Sequence, residues 1–349
     1  MFSIFLEIGL YTFCVITVWN IVWLSLKTNQ YQQNTFAVII PARNEGQRIG
    51  ALLESLHRQT LLPQTIIVCD DNSTDNTSEI VKHYQQQNVL IDLVRVPSLP
   101  PTWTGKPWAC YHGYLQLLKT QPTVQKIVFL DADVMLHPKA LALITQNTAP
   151  VISYFPSQKY TSSDIFLTPL LNWLILTILP IQLAETLSNR YLVAANGQCL
   201  VFSRDCYQQI GTHYAVRRIL LEDIDLAKLV IQHGYKLSLQ FGNLIQCQMY
   251  PNLASAIQGF SKNLIFVTSK WQAIILIVII LALCMIVLNL KLWWLILLQR
   301  FLVSQFTKQT WWESLLHPIQ IGMLGLTAVI SLGTRLFGIV SWKERVYKI

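Results

Sequence analysis

The sequence predicts an α/β domain on a mostly parallel sheet, with N- and C-terminal transmembrane helices. Three observations predict it. Hydrophobic residues make up 52% of the 349 and charged residues only 13%, and the mean hydropathy of +0.40 is that of membrane spans attached to a globular part. Short buried-strand runs alternate with helical periodicity, which is the pattern of parallel strands joined by right-handed crossovers. Acid-rich clusters close those runs, above all Ile127-Val128-Phe129-Leu130 followed by Asp131-Ala132-Asp133. In open α/β sheets that carboxyl edge is where ligands bind.

In chain order, residues 2–26 carry Glu7 as their only charge and are long enough to cross a bilayer. No basic start or small-residue cleavage site marks a signal peptide. Lys27, Arg43 and Arg48 follow the run, so the positive-inside rule places the next segment in the cytoplasm. Strands are expected at 36–41, 65–69, 89–96, 127–130 and 150–155, with helices near 49–56, 80–84 and 107–119 between them. Residues 165–183 are apolar but hold Pro169 and Pro180, and are read as an interfacial or re-entrant helix. A strand broken at Asn196-Gly197, a helix over 220–233, strands at 235–240 and 244–249, and apolar segments at 272–290, 292–306 and 319–341 complete the reading. The expected organisation is an anchor (1–27), a catalytic domain (34–265), C-terminal membrane helices (270–342) and a basic tail (343–349).

The net charge of +8 suits anionic lipid, an anionic substrate or nucleic acid and does not choose among them. Seven scattered cysteines without a C-x-x-C pair read as reduced thiols in a cytosol-facing domain. Gly105-Lys106 is not a P-loop, because Pro100 stands at the first glycine position and Pro107 follows the lysine.

Singly, an Asp-x-Asp at a strand end is most often a solvated loop. The order of clusters is more telling: Val38-Ile39-Ile40-Pro41-Ala42-Arg43-Asn44-Glu45, then Asp70 to Asp75, then Leu130 to Asp133, then Glu222-Asp223 before an amphipathic helix. That order resembles the family 2 inverting glycosyltransferases, which have the GT-A fold, a Rossmann-like mixed sheet. Trp103 to Gly113, Met249 to Asn263 and the tail Trp342 to Tyr347 resemble its membrane-bound subgroup, the staphyloxanthin-type carotenoid and hopanoid-associated glycosyltransferases. The Q-x-x-R-W signature of processive synthases is missing after Gln246, which points to transfer of a single sugar.

The resemblance implies that Pro41, Arg43, Glu45 and Asp71 contact the nucleotide, with Asp131 near its ribose and Lys106 a cation for its diphosphate. It gives Asp133, with Asp131, a divalent metal (Mg²⁺ or Mn²⁺) that offsets charge on the leaving group. Asp223 is the expected general base, with Glu222 orienting it; Arg217 and Arg218 either bind phosphate or cap their loop. Gly197 would let an acceptor approach the backbone. The expected partners are a nucleotide sugar (UDP-glucose), a terpenoid lipid acceptor and the membrane, with no nucleic acid. The expected location is the cell membrane, multi-pass, with the catalytic domain cytoplasmic. Rival readings are transfer to diacylglycerol or polyprenyl phosphate, a nucleotidyltransferase, and a non-catalytic membrane scaffold.

Overall fold

A computed structural model describes residues 2–28, 30–187, 189–267, 290–337, 339–342 and 345–348. The chain divides into two compact units. One comprises Leu26–Ser157 and Ile181–Cys247; the other comprises Met1–Ser25, Gln158–Pro180 and Gln248–Ile349.

The first unit holds β1 (Phe36–Ala42), α2 (Ile49–His57), β2 (Ile66–Asp70), α3 (Thr77–Gln87), β3 (Ile91–Arg95), α4 (Gly105–Thr120), β4 (Lys126–Leu130), β5 (Val134–Leu136), α5 (Ala140–Gln146), β6 (Val151–Gln158), α7 (Ile181–Leu187), β7 (Cys199–Ser203), α8 (Arg204–Gln209), α9 (Thr212–Ala215), α10 (Glu222–Gln232) and β8 (Leu237–Cys247). The helix α1 (Phe2–Leu26) precedes them, and α6 (Leu170–Ile178) lies between β6 and α7 in sequence. One eight-stranded sheet has the order β3-β2-β1-β4-β7-β6-β8-β5. All five residues of β2 and all five of β4 are buried, as expected of strands covered on both faces.

The sheet is parallel from β3 to β4. β7 runs antiparallel to β4 with Leu130 opposite Cys199, and β5 is antiparallel to β8. The expectation of a mostly parallel sheet therefore holds for one half. Buried strands carry continuous apolar runs whichever way their neighbours point, so direction is not written in the run. The reversal matters for function: the chain leaving β4 and the chain entering β7 share one edge, and the Asp131 amide donates to the Gln198 carbonyl at 3.1 Å.

Three boundaries also differ. The strand expected over 191–202 is confined to Cys199–Ser203. The two strands expected at 235–240 and 244–249 are one, β8, which passes its midpoint on Gly242 (φ 143°) with the Tyr154 hydroxyl 3.1 Å from where a Cβ would stand. The apolar run 165–183 is interrupted at Leu179-Pro180, giving α6 and α7. Proline without an amide hydrogen, together with the restriction it places on the preceding residue, ends the first helix there.

The second unit is helical: α1, α6, α11 (Leu253–Val267), α12 (Leu290–Thr307), a 3₁₀ turn at Trp311–Leu316 and α13 (His317–Phe337). Segments Glu7–Leu26 and Trp311–Arg335 are long and apolar enough to span a membrane, and the bent pair 164–178 and 181–187 has the composition of a broken span or re-entrant loop. The helix expected over 319–341 stops at Phe337, and Ile339–Trp342, expected among the membrane helices, pairs antiparallel with Arg345–Lys348 of the expected basic tail. The span expected at 272–290 lies outside the described residues except for Leu290. Polar side chains join the helices inside this unit. Asn20 donates to the Leu176 and Leu179 carbonyls, Gln299 links Thr17 to Trp173, and Ser331 donates to the Ser261 carbonyl. Large apolar residues meanwhile face outward, among them Ile8, Val15 and Trp19 on α1 and Ile319, Leu326 and Val329 on α13.

α4 lies close on β1 and β2 because Gly113 has no side chain. A Cβ there would sit 2.5 Å from Ile39 Cγ2 and 2.7 Å from Cys69 Sγ, and both partners are fully buried. Gly113→Ala is therefore expected to cost about 1–3 kcal/mol, the usual cost of overpacking a tight core. Thermal unfolding in detergent should show a lowered Tm; an unchanged Tm would contradict this seating.

Candidate active site

The loops that follow β1 and β2 are tied together. Arg43 Nη1 donates to the Asp71 carbonyl at 2.8 Å, the Asn44 amide to Ser73 Oγ at 3.0 Å, the Thr74 amide to Asn44 Oδ1 at 2.8 Å and the Glu45 amide to Thr77 Oγ1 at 2.9 Å. Asn44 (φ 53°) and Asn72 (φ 57°) take the left-handed conformation that asparagine tolerates. Asp70 serves its own loop, accepting from the Ser73 amide and the Ser78 hydroxyl. Asp71 is buried and continues the register, its amide donating to the Ala42 carbonyl at 2.8 Å. The Glu45 carbonyl accepts the Arg48 and Ile49 amides that open α2, and its carboxylate lies 3.6 Å from Arg48. Pro41, Arg43, Glu45 and Asp71 thus stand together on adjacent strand ends.

Lys106 occupies the centre of the second cluster. It lies in the first turn of α4, where the helix dipole disfavours a cation. Its Nζ is 2.7 Å from Asp131 Oδ1 and 3.0 Å from Glu222 Oε1, and donates to the Gly197 carbonyl at 3.2 Å. Burial alone would lower its pKa, but Asp131 and Glu222 hold it well above the usual lysine value. One ammonium therefore joins the end of β4, the approach to β7 and the start of α10.

Asp223 lies on the far side of Gly197. Its Oδ2 accepts the Gly197 amide at 2.9 Å and its Oδ1 the Ile224 amide at 2.9 Å. Burial and then the Glu222 charge push its carboxyl up to about 6, against the lowering effects of Lys106 and the two amides. The amides of Gly197 and Ile224 thus hold both oxygens of Asp223, and the carboxylate of the adjacent Glu222 pairs with Lys106. Gly197 itself is not open to an approaching acceptor. A Cβ there would sit 2.9 Å from Lys106 Nζ and 3.3 Å from Asp223 Oδ2, so its bareness makes room for those two groups.

Asp133 borders a third group. The Gln198 side-chain amide donates to Cys247 Sγ at 2.6 Å, and burial, then Asp133 and Asp131, push the Cys247 thiol well up. The β5–β8 register, with Val134 opposite Cys247, brings them together; nothing in the spacing of Cys247 along the chain signalled it. Among the described residues no group of three or more His, Cys, Asp or Glu side chains is gathered for a metal ion. Two carboxylates, Asp131 and Asp133, nevertheless have the hard-oxygen chemistry that suits Mg²⁺ or Mn²⁺, ions that commonly take one or two carboxylates and complete their shell from substrate phosphate. Asp225 pairs with Lys228 at 2.7 Å, and Arg217 caps its own loop, donating to the Tyr214 carbonyl at 3.0 Å with its guanidinium over the Tyr214 ring.

Residues 37–152 match the family model described as Glycosyl transferase family 2, so the segment that supplies β1 to β5 and both loop clusters carries the family's pattern. A 250-residue stretch is 26% identical to 4,4'-diaponeurosporenoate glycosyltransferase of Staphylococcus aureus strain bovine RF122 / ET3-1, covering 69% of this chain and 64% of that protein. The protein of the same name from strain USA300 is 27% identical over the same shares. The match thus spans 64% of the length of these curated relatives. A distant likeness in structure is found to the mannosyltransferase PcManGT from Pyrobaculum calidifontis in complex with GDP-Man and Mn²⁺, at 16% identity and a TM-score of 0.49, covering 96% of this chain and 86% of that one.

The raised carboxyl of Asp223 has a consequence for stability. A carboxyl whose folded pKa of about 6 exceeds its ordinary value of 3.8 binds its proton more tightly in the folded state. Its ionisation therefore opposes folding as pH rises through that window, and the penalty is fully present above about pH 6. Asp223→Asn removes it. The variant's Tm should exceed that of the parent at pH 8 and converge with it near pH 4; a variant less stable than the parent at pH 8 would contradict the burial described.

Proposed function

We propose that this chain is an inverting glycosyltransferase of GT-A type that moves one hexose from a nucleotide sugar, UDP-glucose by preference, to a hydroxyl or carboxyl of a membrane lipid, a carotenoid or other terpenoid. The observation that carries the reading is the Lys106 hub with Asp223 across Gly197, at the carboxyl edge of the sheet where β4 and β7 meet. The family match over 37–152 and the names of the curated relatives support it.

In this reading Arg43, Glu45 and Asp71, with Pro41 at the strand end, line the nucleoside side, and Asp131 and Asp133 would hold the divalent ion. When bound, that ion supplies positive charge against the diphosphate leaving group. Lys106 adds a second cation for the diphosphate, already held in place by Asp131 and Glu222, so little reorganisation is needed. For a hydroxyl acceptor, Asp223 takes its proton as the acceptor oxygen bonds to the anomeric carbon and the bond from that carbon to the diphosphate oxygen breaks; a carboxyl acceptor would attack already ionised. A carboxyl held near 6 is mostly ionised at neutral pH yet a stronger base than an exposed aspartate, as this work requires.

The lipid acceptor is inferred from the helical unit. Its polar side chains point inward while large apolar residues of α1 and α13 face outward, the reverse of a water-soluble helical bundle and the arrangement suited to lipid. The positive-inside rule, applied to Lys27, Arg43 and Arg48 after the apolar run 2–26, supports a cytoplasmic face for the sheet unit.

Two outcomes test the reading. Asp223→Asn should leave nucleotide-sugar binding intact and lower transfer to extracted membrane lipid by about two to four orders of magnitude, the worth of a general base; near-normal turnover would remove Asp223 from the reaction. Transfer should also cease in EDTA and return with Mn²⁺ or Mg²⁺, with Asp133→Ala losing the rescue. Full activity in chelator would assign Asp131 and Asp133 another task.

A further inference from the structure

Trp103 and Thr104 precede Lys106 but touch none of the carboxylates of the site. We propose that they form a clasp that sets the position of the base-bearing start of α10 relative to Lys106, with Thr104 as a positioning residue for Asp223. The inference rests on the function proposed above and adds a residue to it.

Thr104 is the N-cap of α4, in extended conformation (φ −95°, ψ 155°), yet its side chain makes no capping hydrogen bond. Threonine at this position ordinarily accepts an amide of the first turn, a favourable interaction that is forgone here. The hydroxyl instead donates to the Ile219 carbonyl at 2.8 Å, and the Thr104 amide donates to the Arg217 carbonyl at 2.7 Å. Both acceptors lie in the short connection from α9 to α10, and Ile219 is three residues before Glu222.

The neighbouring ring reinforces this tie. Trp103, nearly buried, meets Tyr111 at 5.3 Å and Tyr214 at 5.6 Å between ring centroids, and Arg217 caps Tyr214 at 4.4 Å. Aromatic contacts of this kind fix relative orientation as well as burying area. The strip from 214 to 219 is therefore fastened to the N-terminus of α4 by the hydrogen bonds of Thr104 and a ring cluster. Lys106 lies two residues after the clasp on one side, and Glu222 and Asp223 follow it on the other. The Lys106–Glu222 pair at 3.0 Å closes the loop between the two elements. If the clasp slackens, Asp223 loses its register against the bound sugar, and small misplacements of a reacting group are costly in rate.

The test compares Thr104→Val, which keeps shape and removes the hydroxyl, with Thr104→Ser, which restores it, in the full-length protein. Four quantities are read: kcat and KM for UDP-glucose with membrane lipid as acceptor, Tm, and amide hydrogen exchange over 217–225. Thr104→Val should lower kcat by about tenfold, the effect of a small misalignment, with KM for the donor and Tm little changed. Exchange over 217–225 should quicken while β4 stays protected, and Thr104→Ser should return both readouts to the parent values. Tyr214→Ala, at a half-exposed ring the fold can lose, should reproduce the faster exchange. Unchanged exchange in Thr104→Val would overturn the clasp, as would a fall of kcat and Tm together that serine does not rescue. A parent protein that transfers no sugar would instead count against the proposed function, and the exchange measurement would still decide the clasp.

Discussion

The site depends on one cation in an unfavourable place. Lys106 stands in the first turn of α4, at the positive end of the helix dipole, and is held there by Asp131, Glu222 and the Gly197 carbonyl. Those three partners come from separate stretches of chain, so the ammonium fixes their mutual distance. Take it away and two carboxylates on adjoining elements face one another without a counter-charge. A protein gains little by such an arrangement for stability alone, since a pair that is partly solvated contributes modestly. On the function proposed here, the arrangement supplies fixed positive charge where a leaving group becomes more negative.

The topology makes this hub possible. β4 ends and β7 begins at the same edge because the two run antiparallel, with Leu130 opposite Cys199. Asp131 and Gln198 then meet through the backbone, and Gly197 falls between Lys106 and Asp223. The two loops after β1 and β2 extend the same edge in the other direction, tied residue by residue through Arg43, Asn44 and Thr74. The edge thus runs from Asp71, through Asp131, towards Asp223.

Much of this was legible in the sequence where chemistry and strand ends coincide. The runs ending at Pro41, Cys69 and Leu130 are strands, and the polar residues after them stand on the shared edge, because an apolar run buried on both faces must end in a loop that water can reach. The direction of β7 was not legible, since Cys199 to Phe202 would read alike in either orientation. The roles of glycine required coordinates as well. Gly113 and Gly197 look the same in the chain, yet one admits Ile39 and Cys69 and the other admits Lys106 and Asp223. Lys27 read as a topology signal and proved to be a partner of Glu185, 158 residues away. Long-range pairings of that kind leave no local trace.

The central claim is that a single displacement takes place at Asp223, with one proton removed and one sugar moved. The most direct measurement is the anomeric configuration of the sugar on the lipid product, read by NMR after incubating the protein with UDP-glucose and membrane lipid. With one base and no covalent sugar intermediate, the product should carry the β configuration from the α-linked donor. A product that retains the α configuration would contradict the account, because retention would require chemistry in which Asp223 is not the acceptor's base.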